Sequence, residues 1–386
     1  MANFLKDLAN VIKNMPKEAK KPLDRSIVVI IALLTCFGLI MIWSASMYNA
    51  SIDFGDELYY VKRQAIIAVF GFVLMYLISL IDYHFIKKYA NLIMAISLLL
   101  LLFVAFLPDT EGVNGAVRWI SIGGYGLQPS ELAKICVLIF LAKEFDRRQN
   151  EINQFKTFLL MMAFCAVICG MIYLQPALST SVVVAALIIG MYFMAGGNFF
   201  YILGFLAIGG FGVYRFIVGT EWRMQRIFAY LDPWSDITGS GWQPAQSLMA
   251  LGSGGLFGVG IGNGRAKLIF LPEPQNDYIF AVIGEELGLI GCVLLLSVYF
   301  VLITKIMKLS FRIKDRFAQL LAAGVSVLLA IQVFINVAVV TNLIPSTGIT
   351  LPFISYGGSS LVSILISMGI VLNISRNQQK AKRRET

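Results

Sequence analysis

Ten apolar runs, most of them near the length a bilayer demands, constrain this chain more than any other feature. They lie at Ile27–Met47, Ala65–Ile81, Leu92–Leu107, Leu132–Ala142, Phe158–Leu174, Ser181–Ala195, Phe199–Val218, Tyr278–Ile303, Leu320–Leu343 and Ser360–Ile374. A helix crossing the hydrocarbon core needs about 20 predominantly apolar residues, so ten crossings consume roughly half of such a chain. The fourth and sixth runs are short and need flanking residues to reach full width. Only 14% of the 386 residues are charged, where a soluble domain carries about 25%. The mean hydropathy is +0.78. A water-soluble globule, a disordered chain and a coiled coil are excluded. The expected fold is an all-α polytopic membrane protein with about ten transmembrane helices.

The first run follows a polar stretch of 26 residues and is as long as a full span. It reads as a membrane anchor, because the apolar core of a cleaved secretory signal is shorter. With an even number of spans both termini share a face, and the basic residues say which. Of 31 Lys and Arg, 22 fall in the two tails and the connections after spans two, four and eight. Eight fall on the other face, and Lys134 lies within a span. The positive-inside rule then makes both termini cytoplasmic. The net charge of +9 is thereby a topology signal, with attraction to anionic lipid second; no nucleic-acid partner is expected. The expected organisation is a cytoplasmic tail (1–26), a ten-span domain (27–375) and a cytoplasmic tail (376–386). The outward face takes the long connections, 48–64, 108–130, 219–277 and 344–359. The third, between spans seven and eight, far exceeds an ordinary helix–helix connection, and loops of that length are usually functional.

Residue counts prune the chemistry. His84 is the single histidine and sits in a short polar turn beside Asp82, which excludes a multi-histidine metal centre. The five cysteines lie in apolar runs without zinc-type spacing and read as packing residues. Chemistry must come from carboxylates, Lys and Arg. The glycine-rich stretch Gly252–Gly264 has no G-x-G-x-x-G register and no following G-K-[ST], so a nucleotide loop does not fit. Two readings remain: a small-xxx-small packing pair, Gly254 and Gly258, or a re-entrant segment lining a cavity. The second is favoured by the amphipathic approach Trp242, Gln243, Gln246 and Ser247.

Ionisable residues within spans are costly and therefore usually paired or functional. Glu131 and Lys134 open span four on one helical face, behind Ser130 as a candidate N-cap. A structural ion pair and a functional one stand level here. Glu285 and Glu286, about two turns into span eight, cannot both face lipid. Asp277 stands where the long outward loop meets span eight, after Leu271-Pro-Glu-Pro-Gln-Asn. Spacing alone favours an N-cap carboxylate. Its company favours chemistry, since Arg63, Arg118 and Trp119 share that face and Lys134 lies just inside it.

Eight segments carry a resemblance: Gly38–Ser46, Lys62–Gln64, Arg118–Ile120, Gln128–Lys134, Gly239–Gln243, Gln246–Gly258, Leu271–Gly288 and Pro345–Ser360. In order and over nearly the whole chain they resemble the SEDS family (shape, elongation, division and sporulation) of bacterial cell-wall synthesis. Pro-Ser-Glu-Leu-Ala-Lys, Leu-Pro-Glu…Asp-Tyr-Ile-Phe and Ser355-Tyr-Gly-Gly-Ser-Ser360 are specific in combination. Asp232-Pro-Trp-Ser-Asp236 is more similar to the division and sporulation (FtsW/SpoVE) branch than to the elongation (RodA) branch. Two departures stand out. Ala177 replaces an acidic residue usual after span five, so no role for that carboxylate carries over, and Asn276 replaces a usual Thr.

The resemblance implies an inverting peptidoglycan glycosyltransferase that polymerises lipid II on the outer face of the bacterial cytoplasmic membrane. It puts the essential carboxylate at Asp277, as general base toward the acceptor sugar hydroxyl. Arg63, Arg118 and Lys134 are candidates to compensate the diphosphate leaving group, as is a bound Mg²⁺ or Mn²⁺. Trp119 is suited to pack on a sugar or on the polyprenyl chain, and Glu131, Ser355 and Gly357 complete the candidate substrate-binding set. No organic cofactor is implied. The implied partners are a class B penicillin-binding protein transpeptidase and other divisome or elongasome proteins. A lipid II flippase, with Glu131, Lys134, Glu285 and Glu286 lining a headgroup route, and a non-catalytic scaffold are the competing readings.

Overall fold

A computed structural model describes residues 23–106, 118–122, 125–175, 177–218, 221–237, 239, 241–265, 267 and 273–385, together with Asp7, Ala9, Asn10, Lys13 and Met15. Among these, twelve helices and one small hairpin form in the order α1 (Arg25–Phe54), α2 (Tyr59–Ser79), α3 (Tyr83–Ala105), β1 (Ile120–Ile122), β2 (Tyr125–Leu127), α4 (Pro129–Arg147), α5 (Phe155–Tyr173), α6 (Leu178–Met194), α7 (Phe199–Val218), α8 (Glu221–Leu231), α9 (Trp242–Gly254), α10 (Ile279–Phe311), α11 (Arg316–Val340) and α12 (Gly358–Glu385). Every expected apolar run lies within or largely within a helix. Among the described residues, seven helices are long and apolar enough to cross a membrane: α1, α2, α3, α5, α10, α11 and α12.

Burial sorts the helices into inner and outer. The membrane-length stretches of α11 and α12 are mostly buried, whereas α1, α2 and α10 show apolar side chains such as Leu33, Val69, Phe70, Leu294 and Phe300 outward. An apolar exterior around an apolar interior is what a lipid solvent selects. Close approach between α2 and α12 needs small residues, since a Cβ at Gly369 would stand 2.6 Å from the Met75 carbonyl.

Three expected connections turn out differently. Residues 48–64 are expected as an outward loop, but α1 continues to Phe54 and α2 begins at Tyr59. An apolar run marks the hydrocarbon stretch of a helix, not its end. The end is set by Gly55, left-handed at φ 66, with its N–H on the Ser51 carbonyl. The 219–277 loop contains two helices, α8 and α9. Residues 344–359 are largely no surface loop either: Leu351, Phe353, Ile354 and Ser355 are buried, and the segment plugs the bundle.

The helix α10 holds a break. At Gly288 the backbone leaves helical geometry (φ 67, ψ −169), where a left-handed φ favours glycine. The glycine stretch after α9 packs there. Val259 and Gly260 donate to the Glu285 and Glu286 carbonyls at 3.0 and 2.9 Å, while Leu289 and Ile290 donate to Gly255 and Leu256 at 2.9 and 3.1 Å. A Cβ at Gly254 would collide with the Gly284 carbonyl, and one at Gly258 with that of Glu286. The two glycine readings thus combine. Gly254 and Gly258 are a close-packing pair facing backbone, not a cavity wall, and the irregular backbone is satisfied by the broken helix. Leu256, Phe257, Val259, Ile261, Leu289 and Ile290 around the junction are exposed.

Candidate functional site

The plug at 344–357 carries Ser355 and Gly357 and borders Asp277. A buried irregular segment must satisfy its backbone groups from elsewhere, and here distant side chains do so. Asn336 on α11 donates to the Ile349 carbonyl at 2.8 Å. Gln64 on α2 donates to the Ser355 carbonyl at 3.3 Å and accepts from the Gly357 N–H at 3.4 Å. Tyr299 on α10 donates to the Pro352 carbonyl, and the Ser355 hydroxyl accepts from Leu351 N–H at 2.8 Å. Ser355 and Gly357 therefore spend their polar groups holding the plug together.

Asp277 borders this plug. Asn336 uses the same amide nitrogen to donate to the Asp277 carbonyl at 2.8 Å, and the Tyr356 N–H donates to the Gln275 carbonyl at 2.8 Å. A Cβ at Gly348 would lie 3.8 Å from Asp277 Oδ2, so the carboxylate faces the plug's left-handed turn. The N-cap expectation fails. Tyr278 takes the N-cap position of α10 and no side chain caps the helix. Asn276 does not cap it either, giving its amide to Glu273. The carboxyl of Asp277 is pushed up to about 6, first by burial and further by the charge of Glu273, against the opposing effect of its own backbone N–H. It is a carboxylate that does not cap its helix and has a raised proton affinity.

Arg63 stands near the N-terminal end of α2, donating to the Tyr59 hydroxyl at 2.8 Å with its guanidinium 5.2 Å from that ring. Its neighbour Tyr60 meets Tyr356 edge-on at 5.1 Å. Arg118 and Trp119 lead into β1, which pairs Ile120 with Leu127 and Ser121 with Gly126. Trp119 lies half-exposed over Gly126, where a Cβ would come within 2.9 Å of the ring. The hairpin is tied to the start of α12: Ser359 donates to the Gly126 carbonyl and accepts from Gln128 N–H, both at 2.9 Å. The α2 end, the hairpin and the Asp277 turn thus attach to one stretch, 348–359.

Glu131 and Lys134 form the expected pair at 2.7 Å in the first turn of α4, both almost out of water. Ser130 is not the N-cap. Pro129 takes the first helical position and Gln128 the cap, without a side-chain bond.

Comparison with known proteins fits this architecture. The family model described as "Cell cycle protein" (FtsW/RodA/SpoVE) matches residues 24–380. The chain belongs to the FtsW/RodA/SpoVE family. It is 39% identical over 360 residues to a "Probable peptidoglycan glycosyltransferase FtsW" of Geobacter sp. (strain M18), covering 93% of this chain and 98% of that one. It is 41% identical over 362 residues to "Stage V sporulation protein E" of Bacillus subtilis, covering 92% and 97%. Among solved structures, one described as "Structural coordination of polymerization and crosslinking by a peptidoglycan synthase complex" superposes with TM-score 0.74 at 25% identity, over 92% of this chain and 98% of that one. Thermus thermophilus Rod shape determining protein RodA does so with TM-score 0.69 at 26% identity and the same coverages.

In this FtsW/RodA/SpoVE chain the structure adds residues that sequence reasoning misses. Asn336 is a buried polar side chain inside the apolar run of α11, and that polarity is the signal that could have found it; Gln64, also buried, stands just before an apolar run beside Lys62 and Arg63, where nothing local marks it. The charge count places Lys267 only among the outward basic residues. It is buried and paired with Glu286 at 2.6 Å, against Ser44 of α1. Both Glu285 and Glu286 are buried, one more than the lipid argument required. His84 is surface-exposed against Asp82, as its polar turn implied. The described residues hold no group of three His, Cys, Asp or Glu able to bind a metal. That does not fit a protein-built Mg²⁺ or Mn²⁺ cage.

Proposed function

We propose that this membrane protein is a peptidoglycan glycosyltransferase that polymerises lipid II into β-1,4-linked glycan at the outer face of the bacterial cytoplasmic membrane, for division or sporulation septa. The names of relatives near 40% identity support the activity. The observation that carries the assignment to a residue is Asp277: a carboxylate freed from capping, with raised proton affinity, beside the plug.

In this reading Asp277 accepts the proton of the acceptor's 4-hydroxyl as its oxygen attacks the anomeric carbon of the donor. The new C–O bond forms as the carbon–oxygen bond to the diphosphate breaks, and the diphosphate leaves with the electron pair. Arg63 and Arg118 compensate that charge, with Lys134 behind them. Trp119, half-exposed on its hairpin, offers an apolar face for a sugar or the polyprenyl chain, while Glu131, Ser355 and Gly357 hold the walls.

The accompanying topology has ten crossings, with α4, α6 and α7 added to the seven long apolar helices. Residues 1–26 and 376–386 are cytoplasmic, 27–375 form the membrane domain, and 219–277 lie outside. A class B penicillin-binding protein is the expected partner, in line with the coupling of polymerisation to crosslinking ascribed to the synthase-complex neighbour.

The test is purified protein in liposomes with lipid II, scored for both glycan chains and flipping. Asp277→Asn melts no earlier than wild type, because no cap is lost, and loses about 10²–10⁴ in polymerisation rate. Loss of flipping rather than of glycan would favour the transporter class, and long glycan from Asp277→Asn would remove the aspartate from the chemistry.

A further inference from the structure

Lys267, Glu286 and Ser44 form a buried cluster that the proposed chemistry does not use. Lys267 Nζ lies 2.6 Å from Glu286 Oε1 and donates to Ser44 Oγ at 3.0 Å. The Ser44 hydroxyl sits 2.7 and 2.8 Å from the two Glu286 oxygens. The side chains of Lys267 and Glu286 are 1% and 0% exposed. Next to them Glu285 accepts from the Arg265 N–H at 2.7 Å.

A fully buried ion pair is a poor way to add stability, because desolvating both charges consumes most of their attraction. Apolar replacements of similar volume are often neutral or stabilising. The placement of this pair offers another role. Lys267 and Glu286 are 19 residues apart and close the chain between them into a loop, with Asp277 near its midpoint. Ser44 fastens the closure to α1, and Asn336 fastens the midpoint to α11.

We propose that the Lys267–Glu286–Ser44 cluster is a positioning lock that fixes the stem of the loop presenting Asp277 to the acceptor hydroxyl. The lock acts through Asp277 and touches no substrate, so it rests on the reading of that residue as the base. Its charges make the closure all-or-none: a slipped register strands a charge in an apolar interior, whereas an apolar stem tolerates slippage.

The test uses the full chain in lipid II liposomes and the double variant Lys267→Met/Glu286→Met, which removes both charges together. The expected melting temperature is at or above wild type. Turnover falls by up to about 10²-fold, the scale of a misplaced catalytic group, with the KM for lipid II little changed. The acid limb of turnover, near pH 6 while Asp277 is shielded, moves toward the ordinary carboxylate range as water reaches the loosened loop. Ser44→Ala, which leaves the ion pair in place, shifts turnover and acid limb in the same direction by less. Lys267→Arg, which keeps the pair, recovers most of what the double variant loses. A double variant with wild-type turnover and acid limb overturns the lock. So does one that melts early with its acid limb unmoved, for the cluster is then a fold element. Asp277→Asn, assayed alongside, separates the two ideas: if it polymerises, the base assignment falls whatever the double variant does, and if it is inactive while the double variant is normal, only the lock falls.

Discussion

Two buried Lys–Glu pairs lie among the described residues, and they differ in reach. Glu131 and Lys134 are three residues apart in one turn of α4. Lys267 and Glu286 are 19 apart and join an irregular segment to α10 and α1. The first pair forms as soon as its helix forms. The second exists only when three parts of the chain have met. A local pair supports the element that carries it; a remote pair states which tertiary arrangement is the right one.

The largest expected effect breaks the remote pair from one side. Lys267→Met alone leaves Glu286 charged and buried, with Ser44 as its remaining side-chain partner among the described residues, and should destabilise the protein by about 3–5 kcal/mol in a detergent-solubilised denaturation series. Lys134→Met should cost less, about 1–3 kcal/mol, because Glu131 stays at the positive end of a helix dipole. That variant should remain folded and membrane-inserted while polymerisation drops strongly. Equal destabilisation by the two single variants would erase the distinction drawn between them.

A second experiment reverses the local pair. Glu131→Lys/Lys134→Glu keeps the bridge but puts a cation at the N-terminal turn, so it should lose about 0.3–1 kcal/mol per misplaced charge. Normal activity in the swapped variant would show that the sign at position 134 is immaterial and would take Lys134 out of the site.

A pH series sets the candidate base apart from both pairs. The Asp277 carboxyl is raised from 3.8 to about 6 in the folded protein. Between those values the folded state holds the proton more than the unfolded one does, so this group's contribution to stability grows as pH falls through 6 and is complete below 3.8. Polymerisation should do the opposite and fall as pH drops through 6, since the base is being protonated. Melting temperature and turnover measured over one pH series should diverge there, and the divergence should vanish in Asp277→Asn. Parallel curves would mean that some other group governs the acid limb.

The same contrast marks how far the sequence could be read. Apolar runs locate helices because membrane burial is one-dimensional along the chain, and Glu131–Lys134 is visible because helical spacing places both on one face. Asp277 stands out by its company and its resemblance, but the cap position is off by one residue, since Tyr278 precedes the first turn of α10. Residues 344–359 read as an outward loop because Pro345, Gly348, Pro352 and Gly357 interrupt any helical period. What makes that segment a buried plug is supplied from far away, by Gln64, Tyr299 and Asn336. Lys267 escapes notice for the same reason, its partners being Glu286 and Ser44. No local pattern contains such information.

The break at Gly288 also bears on how the protein is made. Opening α10 there strands backbone groups on both sides, and they are met by Gly255, Leu256, Val259 and Gly260. Each unsatisfied peptide group costs several kcal/mol in hydrocarbon. Neither the glycine stretch nor the first turns of α10 can therefore settle among acyl chains singly. The stretch 255–260 and the break at 285–290 have to pair before either is complete, after synthesis has passed Ile290. The preceding helices close their own hydrogen bonds as they leave the ribosome, but this unit waits for its second half, and a chain halted between Gly260 and Gly288 leaves the glycine stretch without its partner.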